Sequence, residues 1–65
     1  MKLGQNVREL RKAMGYSQRE LGERSGVPRQ EISRIETGGN YWLHHVKGIA
    51  EVLEISLQEL EGRGQ

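Results

Sequence analysis

SQRELGERSGVPRQEISRIETG, residues 17–38, has the proportions of two short helices joined by a tight turn, and the fold follows from how it is read. At about 100° of rotation per residue, Arg29, Gln30, Ser33, Arg34 and Thr37 fall within an arc of roughly 140°. All five are polar, while Ile32 and Ile35 lie near the middle of the opposite side. A helix needs that division if one stripe is to pack on a core and the other is to face a partner. The outward side chains also carry chemistry. Arg can give a two-pronged hydrogen bond to the O6 and N7 acceptors of guanine, Gln can do the same on the N6 and N7 edge of adenine, and Ser pairs with several bases. Arg29, Gln30, Ser33 and Arg34 are therefore the candidate base readers of a helix sized for the major groove.

The preceding residues show how such a helix is held. Ser17 and Glu20 have the S-x-x-E spacing of a capping box, and Tyr16 and Leu21 stand where the accompanying hydrophobic staple belongs. The first helix of the pair should thus begin at Gln18. Gly22 falls inside it, at a cost of roughly 1 kcal/mol relative to Ala, which is explained if the second helix crosses very close there. Gly26 follows Ser25 where the helix must end, and a residue without Cβ can take the left-handed conformation that ends it. Helix, glycine-containing turn, helix is the helix-turn-helix pattern.

The string S-Q-x-x-L-small-x-x-x-G-V-x-x-x-x-I-S-x-x-E-x-G resembles the Cro/repressor type helix-turn-helix family of bacterial and phage transcription regulators, often called the Xre family, and the likeness extends from about Leu3 to Leu60. The resemblance implies an all-α, compact five-helix lambda-repressor-like DNA-binding domain with the helix-turn-helix in helices 2 and 3. It implies that Gln18 starts the positioning helix and touches the DNA backbone. Arg29, Gln30 and Arg34 would face base edges or nearby phosphates, with Ser33 at a more variable position. Arg11 and Glu36 match a pair that, in the family, forms a partly buried salt bridge between the first helix and the recognition helix. Three departures stand out. Pro28 replaces the usual Ser or Thr before the recognition helix; it suits a first helical turn, where its missing N–H would be unpaired anyway, but brings no cap hydroxyl. Gly22 replaces the usual Ala. The segment Gly38-Gly39-Asn40-Tyr41-Trp42 lacks the family's Lys or Arg, so backbone binding there would rely on amides, Asn40 or Tyr41.

Bulk properties exclude most other functions. A chain of 65 residues is read as one domain, with a helix-turn-helix at about 17–37 and a frayed tail at about 62–65. At this length only about 60% of the surface exposed in the unfolded chain becomes buried. The chain contains no Cys, so neither disulfides nor a thiolate metal site can reinforce it. That composition suits a reducing, cytoplasmic setting. No apolar run approaches the ~20 residues of a membrane span, and MKLGQNVRELRK lacks the hydrophobic segment of a signal peptide. The net charge of +1 is unevenly spread: Met1–Arg34 holds eight Lys or Arg against four Glu, whereas Ile35–Gln65 holds two against five. The positive charge sits with the motif, as a surface aimed at a polyanion requires, although a difference of this size also arises without function in a charged helical chain.

Flanking elements complete the reading. Leu3, Val7, Leu10 and Met14 recur at spacings of four, three and four, which predicts an amphipathic first helix ending near Gly15. Arg8 and Lys12 read as a solvated surface pair on it. Leu43, Val46, Ile49, Ala50 and Leu53 predict a fourth helix, with Glu51 and Glu54 on its wet side. Ser56 and Glu59 repeat the capping box, with Ile55 and Leu60 as the staple of a short fifth helix. Trp42 is expected to seal the core between the third and fourth helices, the alternatives being a phosphate contact from Tyr41 or a partner-facing patch. His44 and His45, adjacent on a helix, point about 100° apart and do not suit one metal.

These features converge on a sequence-specific binder of double-stranded DNA, a transcriptional regulator expected to act as repressor or autoregulator. Gln18, Arg19, Thr37, Asn40 and Tyr41 are the expected phosphate and positioning contacts, with Arg11 and Glu36 as the structural ion pair. Family practice implies a homodimer, at least on DNA, on a near-palindromic operator, with Leu57 and Leu60 as candidate dimer contacts that would serve equally well as core. No cofactor, metal or membrane is expected. Catalysis is not: the chain has no Cys, no Asp and no H-E-x-x-H, and its mass is too small for a closed pocket. The alternative is an antitoxin-like or scaffold protein acting through a protein partner at the Tyr41-Trp42 region, with weak or no reading of DNA sequence.

Overall fold

Apolar residues at helical spacing need a common place to be buried, and five helices provide it in the computed structural model, which describes residues 2–62. They are α1 (Lys2–Ala13), α2 (Gln18–Ser25), α3 (Arg29–Glu36), α4 (Leu43–Leu53) and α5 (Leu57–Leu60). No strand occurs among the described residues. Leu3 and Val7 of α1, Leu21 of α2, Ile32 and Ile35 of α3, Val46, Ile49, Ala50 and Leu53 of α4, and Leu60 of α5 enclose one core, joined by Val27 from the turn. Each large aliphatic side chain buried there contributes about 1.5–3 kcal/mol relative to exposure. α2 lies against both α3 and α4, while α1 packs on α3 and α5. The Asn6 amide also donates to the Leu60 carbonyl at 2.9 Å, tying the last helix to the first.

The turn between α2 and α3 shows why these residues form it. The Ser17 hydroxyl accepts from the Glu20 amide at 3.0 Å, and the Glu20 carboxylate accepts from the Ser17 amide at 2.8 Å. Both reciprocal bonds start α2 at Gln18. Gly26 ends it with φ +73°, its N–H returning to the Gly22 carbonyl. Gly22 is buried for a reason slightly different from the expected one. A Cβ there would stand 2.6 Å from the Val27 carbonyl oxygen, so the close approach is to the backbone of the turn, with the start of α3 behind it at 3.5 Å.

Several expectations are corrected. Pro28 stands one position before α3 as its N-cap, with extended backbone, rather than inside the first turn. Met14 is 38% exposed, because α1 ends at Ala13 and the chain turns outward toward Gly15, whose φ is +78°. Trp42 does not seal the core: it is 65% exposed, and Leu43, assigned to the buried stripe of α4, is 49% exposed. Trp42 caps α4 in extended backbone, where successive side chains point to opposite sides. Tyr41 takes the inward direction and packs on the core, so Trp42 is directed away from it. Leu60 is fully buried and therefore offers no dimer contact. Leu57 is partly packed against the same core. The expected frayed tail lies outside the described residues except for Gly62.

Candidate nucleic-acid interface

Burial of Ile32 and Ile35 fixes the roll of α3, and the roll decides what the helix shows to solvent. Arg29, Gln30, Arg34 and Thr37 are exposed and Ser33 is half-buried. The ridge read from the periodicity thus faces outward. Its amino-terminal end opens into a depression of about 530 Å³ lined by Gln18, Pro28, Arg29, Gln30 and Ser33, which brings the first residue of α2 beside three of the four candidate base readers. At the other end, Arg34 lines a smaller depression of about 250 Å³ with Glu31, Asn40, Tyr41 and Trp42. The aliphatic stem of Arg34 lies over Gly39, where a Cβ would come within 2.6 Å of Cγ. The following loop therefore supports the stem of this arginine.

Behind the ridge lies an ionic junction. Arg11 Nε donates to Glu36 Oε2 at 2.7 Å and its Nη2 to Oε1 at 3.1 Å, while Nη1 donates to the Tyr16 carbonyl at 2.9 Å. The side chains of Arg11 and Glu36 are only 10% and 4% exposed. The junction thus joins the end of α1, the entry to α2 and the end of α3. Gln18 enters it too: its Nε2 donates to Glu36 Oε1 at 3.0 Å. Sequence spacing did not signal this bond, because the two residues meet only when α2 and α3 cross.

The remaining predicted residues lie around the same ridge. Arg19 is exposed and pairs with Glu23 at 3.3 Å across one helical turn, an exposed contact worth about 0–1 kcal/mol. The Thr37 hydroxyl donates to the Ser33 and Arg34 carbonyls, both at 3.1 Å, capping the end of α3. Asn40 is exposed and Tyr41 half-buried. A contact with no sequence signal is the Arg24 guanidinium over the Tyr16 ring, 4.7 Å from its centroid. The His44 and His45 rings stand 4.3 Å apart and tilted by 52°. Among the described residues, no three metal-ligating side chains gather, and no helix is long and apolar enough to cross a membrane.

The fold is shared with characterised proteins. A family model for the helix-turn-helix matches residues 7–60. The HTH-type transcriptional regulator SinR of Bacillus subtilis is 33% identical over 60 residues, covering 89% of this chain and 54% of that protein. The chain spans about half the length of the curated relatives it matches. Among solved structures, the restriction-modification controller protein C.AhdI from Aeromonas hydrophila superimposes with a TM-score of 0.84 at 40% identity, over 91% of each chain. SinR, a master regulator for biofilm formation, was crystallised in complex with DNA; that structure gives a TM-score of 0.83 at 33% identity, over 91% of this chain and 97% of that one. Extent of match, order of helices and geometry of the turn agree: this chain belongs to the Cro/C1-type helix-turn-helix family of DNA-binding transcriptional regulators, which is not a family of enzymes.

Proposed function

We propose that residues 1–65 form one DNA-binding domain of a transcriptional regulator, with its helix-turn-helix at about 17–37, which inserts α3 into the major groove. One observation carries this reading: the cationic and amide side chains of α3 face solvent while Ile32 and Ile35 are buried beneath them. Arg29, Gln30, Ser33 and Arg34 read base edges. Gln18, Arg19, Thr37, Asn40 and Tyr41 hold the flanking phosphates and set the register of the helix. One such helix covers a short site. A two-fold dimer on a near-palindromic operator, with half-sites ~34 Å apart, extends the contact. The role is that of a repressor or autoregulator in the cytoplasm, and no cofactor enters the mechanism.

Selection from random duplex DNA, followed by affinity measured against salt, tests the reading. The expected result is a consensus motif, binding that weakens steeply as salt rises, and a loss of roughly 1–3 kcal/mol on Arg34→Ala with relaxed preference at one position. Recovery of no consensus sequence would sink it. The exposed pair Trp42 and Leu43 favours a second reading, in which a protein partner docks beside α3. Under that reading Trp42→Ala abolishes capture of a co-purifying polypeptide and leaves DNA affinity unchanged.

A further inference from the structure

The junction behind α3 contains more than an ion pair. Glu36 Oε1 accepts from both Arg11 Nη2 at 3.1 Å and Gln18 Nε2 at 3.0 Å. A side-chain amide can be seated in two ways related by half a turn about its last bond, and its two ends differ in kind: the nitrogen gives two hydrogens, the oxygen only accepts. An ionised carboxylate has no hydrogen to give. Opposite Glu36, Gln18 can therefore be seated only with its nitrogen inward, because the reverse seating would set two acceptor oxygens against each other. One N–H of Gln18 is used on Glu36. The second N–H and the carbonyl oxygen remain, on a side chain that is half-buried and lines the depression shared with Arg29, Gln30 and Ser33.

Charge makes the arrangement workable. An unpaired carboxylate 3.0 Å from the residue that meets the duplex would repel phosphate. Here the Arg11 guanidinium neutralises it through two donors at 2.7 and 3.1 Å. The amide is thus oriented by a strong acceptor without exposing net negative charge at the DNA-facing side.

We infer that Glu36 is a positioning residue for DNA binding, seating the Gln18 amide in one orientation so that its remaining N–H and its carbonyl oxygen meet the duplex in set directions. This rests on the DNA-binding reading above. It assigns to Glu36 a function separate from holding α1 to α3, and the two functions respond differently to substitution.

The test is a double-mutant cycle on affinity for the selected duplex, with thermal midpoints measured alongside. The proteins are the unsubstituted chain, Gln18→Met, Glu36→Gln and the double variant. An amide at position 36 can accept or donate, so it no longer dictates how Gln18 is seated. Gln18→Met should weaken binding about fivefold in the unsubstituted chain, the scale of one neutral hydrogen bond. In the Glu36→Gln background the same change should cost less than about twofold. Equal penalties in both backgrounds would show that Glu36 only supports the fold, and would overturn the proposal whatever happens to the thermal midpoint. If Glu36→Gln fails to fold, NMR of the unsubstituted chain decides. In the free protein the Gln18 side-chain N–H held by Glu36 should exchange with solvent measurably more slowly than its partner N–H, and should stay protected when the duplex is added; equally fast exchange of the two overturns it. If the unsubstituted chain binds no duplex at all, the DNA-binding reading fails and this inference fails with it.

Discussion

Two consecutive segments of this molecule dispose of their side chains in opposite ways. In α3, every large apolar residue is buried and the cations and amides face outward. In Gly38–Leu43 the polar content is low, yet Trp42 and Leu43 are exposed at 65% and 49%. The difference lies in the backbone. A helix of eight residues imposes one period on its side chains, so burying Ile32 and Ile35 commits all the others. The loop has no such period; Tyr41 is directed inward and Trp42 outward by the extended backbone that starts α4. Chemistry at the helix is therefore dictated collectively, whereas at the loop it is settled residue by residue.

The support beneath α3 is where that comparison can be broken most forcefully. Arg11→Met leaves the Glu36 carboxylate, 4% exposed, without its counter-charge, and should cost about 3–5 kcal/mol. For a domain of this size that is most of the total stability, and urea unfolding would register a native state barely populated at zero denaturant. An ordinary transition near the unsubstituted midpoint would mean that α3 is held by its isoleucines alone. Gly22→Ala should follow, at about 1–3 kcal/mol, because the new Cβ meets the Val27 carbonyl at 2.6 Å. Its thermal midpoint should fall by several degrees.

The loop supplies the opposing test. Trp42→Ala should change stability by no more than about 0.5 kcal/mol, as befits an exposed position, whereas Tyr41→Ala should cost clearly more, since that ring packs on the core. Chemical denaturation of the two variants side by side would reverse this order if Trp42 were the buried member. As the chain has one tryptophan, its emission should also lie near the solvent-exposed limit in the native state. An effect of the opposite sign concerns the end of α4, where Glu54 holds φ +59°. A left-handed residue with a side chain is strained by roughly 1–2 kcal/mol, partly offset by the larger unfolded-state freedom of glycine. Glu54→Gly should therefore stabilise by about 0.5–1 kcal/mol in equilibrium unfolding, and a loss of stability would refute the strain.

Where local rules act, the order of residues is enough to set the structure. The capping box at Ser17 and Glu20, the left-handed stop at Gly26 and the buried face of α3 each depend on neighbours within one or two turns of the chain. The Ser56 hydroxyl likewise accepts from the Glu59 amide at 3.1 Å and starts α5. Met14 continues the apolar spacing but lies one residue past the end of α1, so it is not held on the buried stripe. Leu43 opens α4 and is 49% exposed, whereas Val46, three residues on, is fully buried. Glu54 has no warning in its residue type, since Gly or Asn is the usual occupant of such a cap.

Sequence by itself determined five helices, the turn between α2 and α3, and the roll that sends Arg29, Gln30 and Arg34 outward, because capping and 3.6-residue periodicity are local properties of a chain. Tertiary structure alone decided that Tyr41 and not Trp42 joins the core, and that Leu60 is buried. It also decided that the Gln18 amide is bound to Glu36. Those outcomes depend on which surfaces meet once helices cross, and a carboxylate 18 positions away along the chain becomes a neighbour only after the core beneath it has closed.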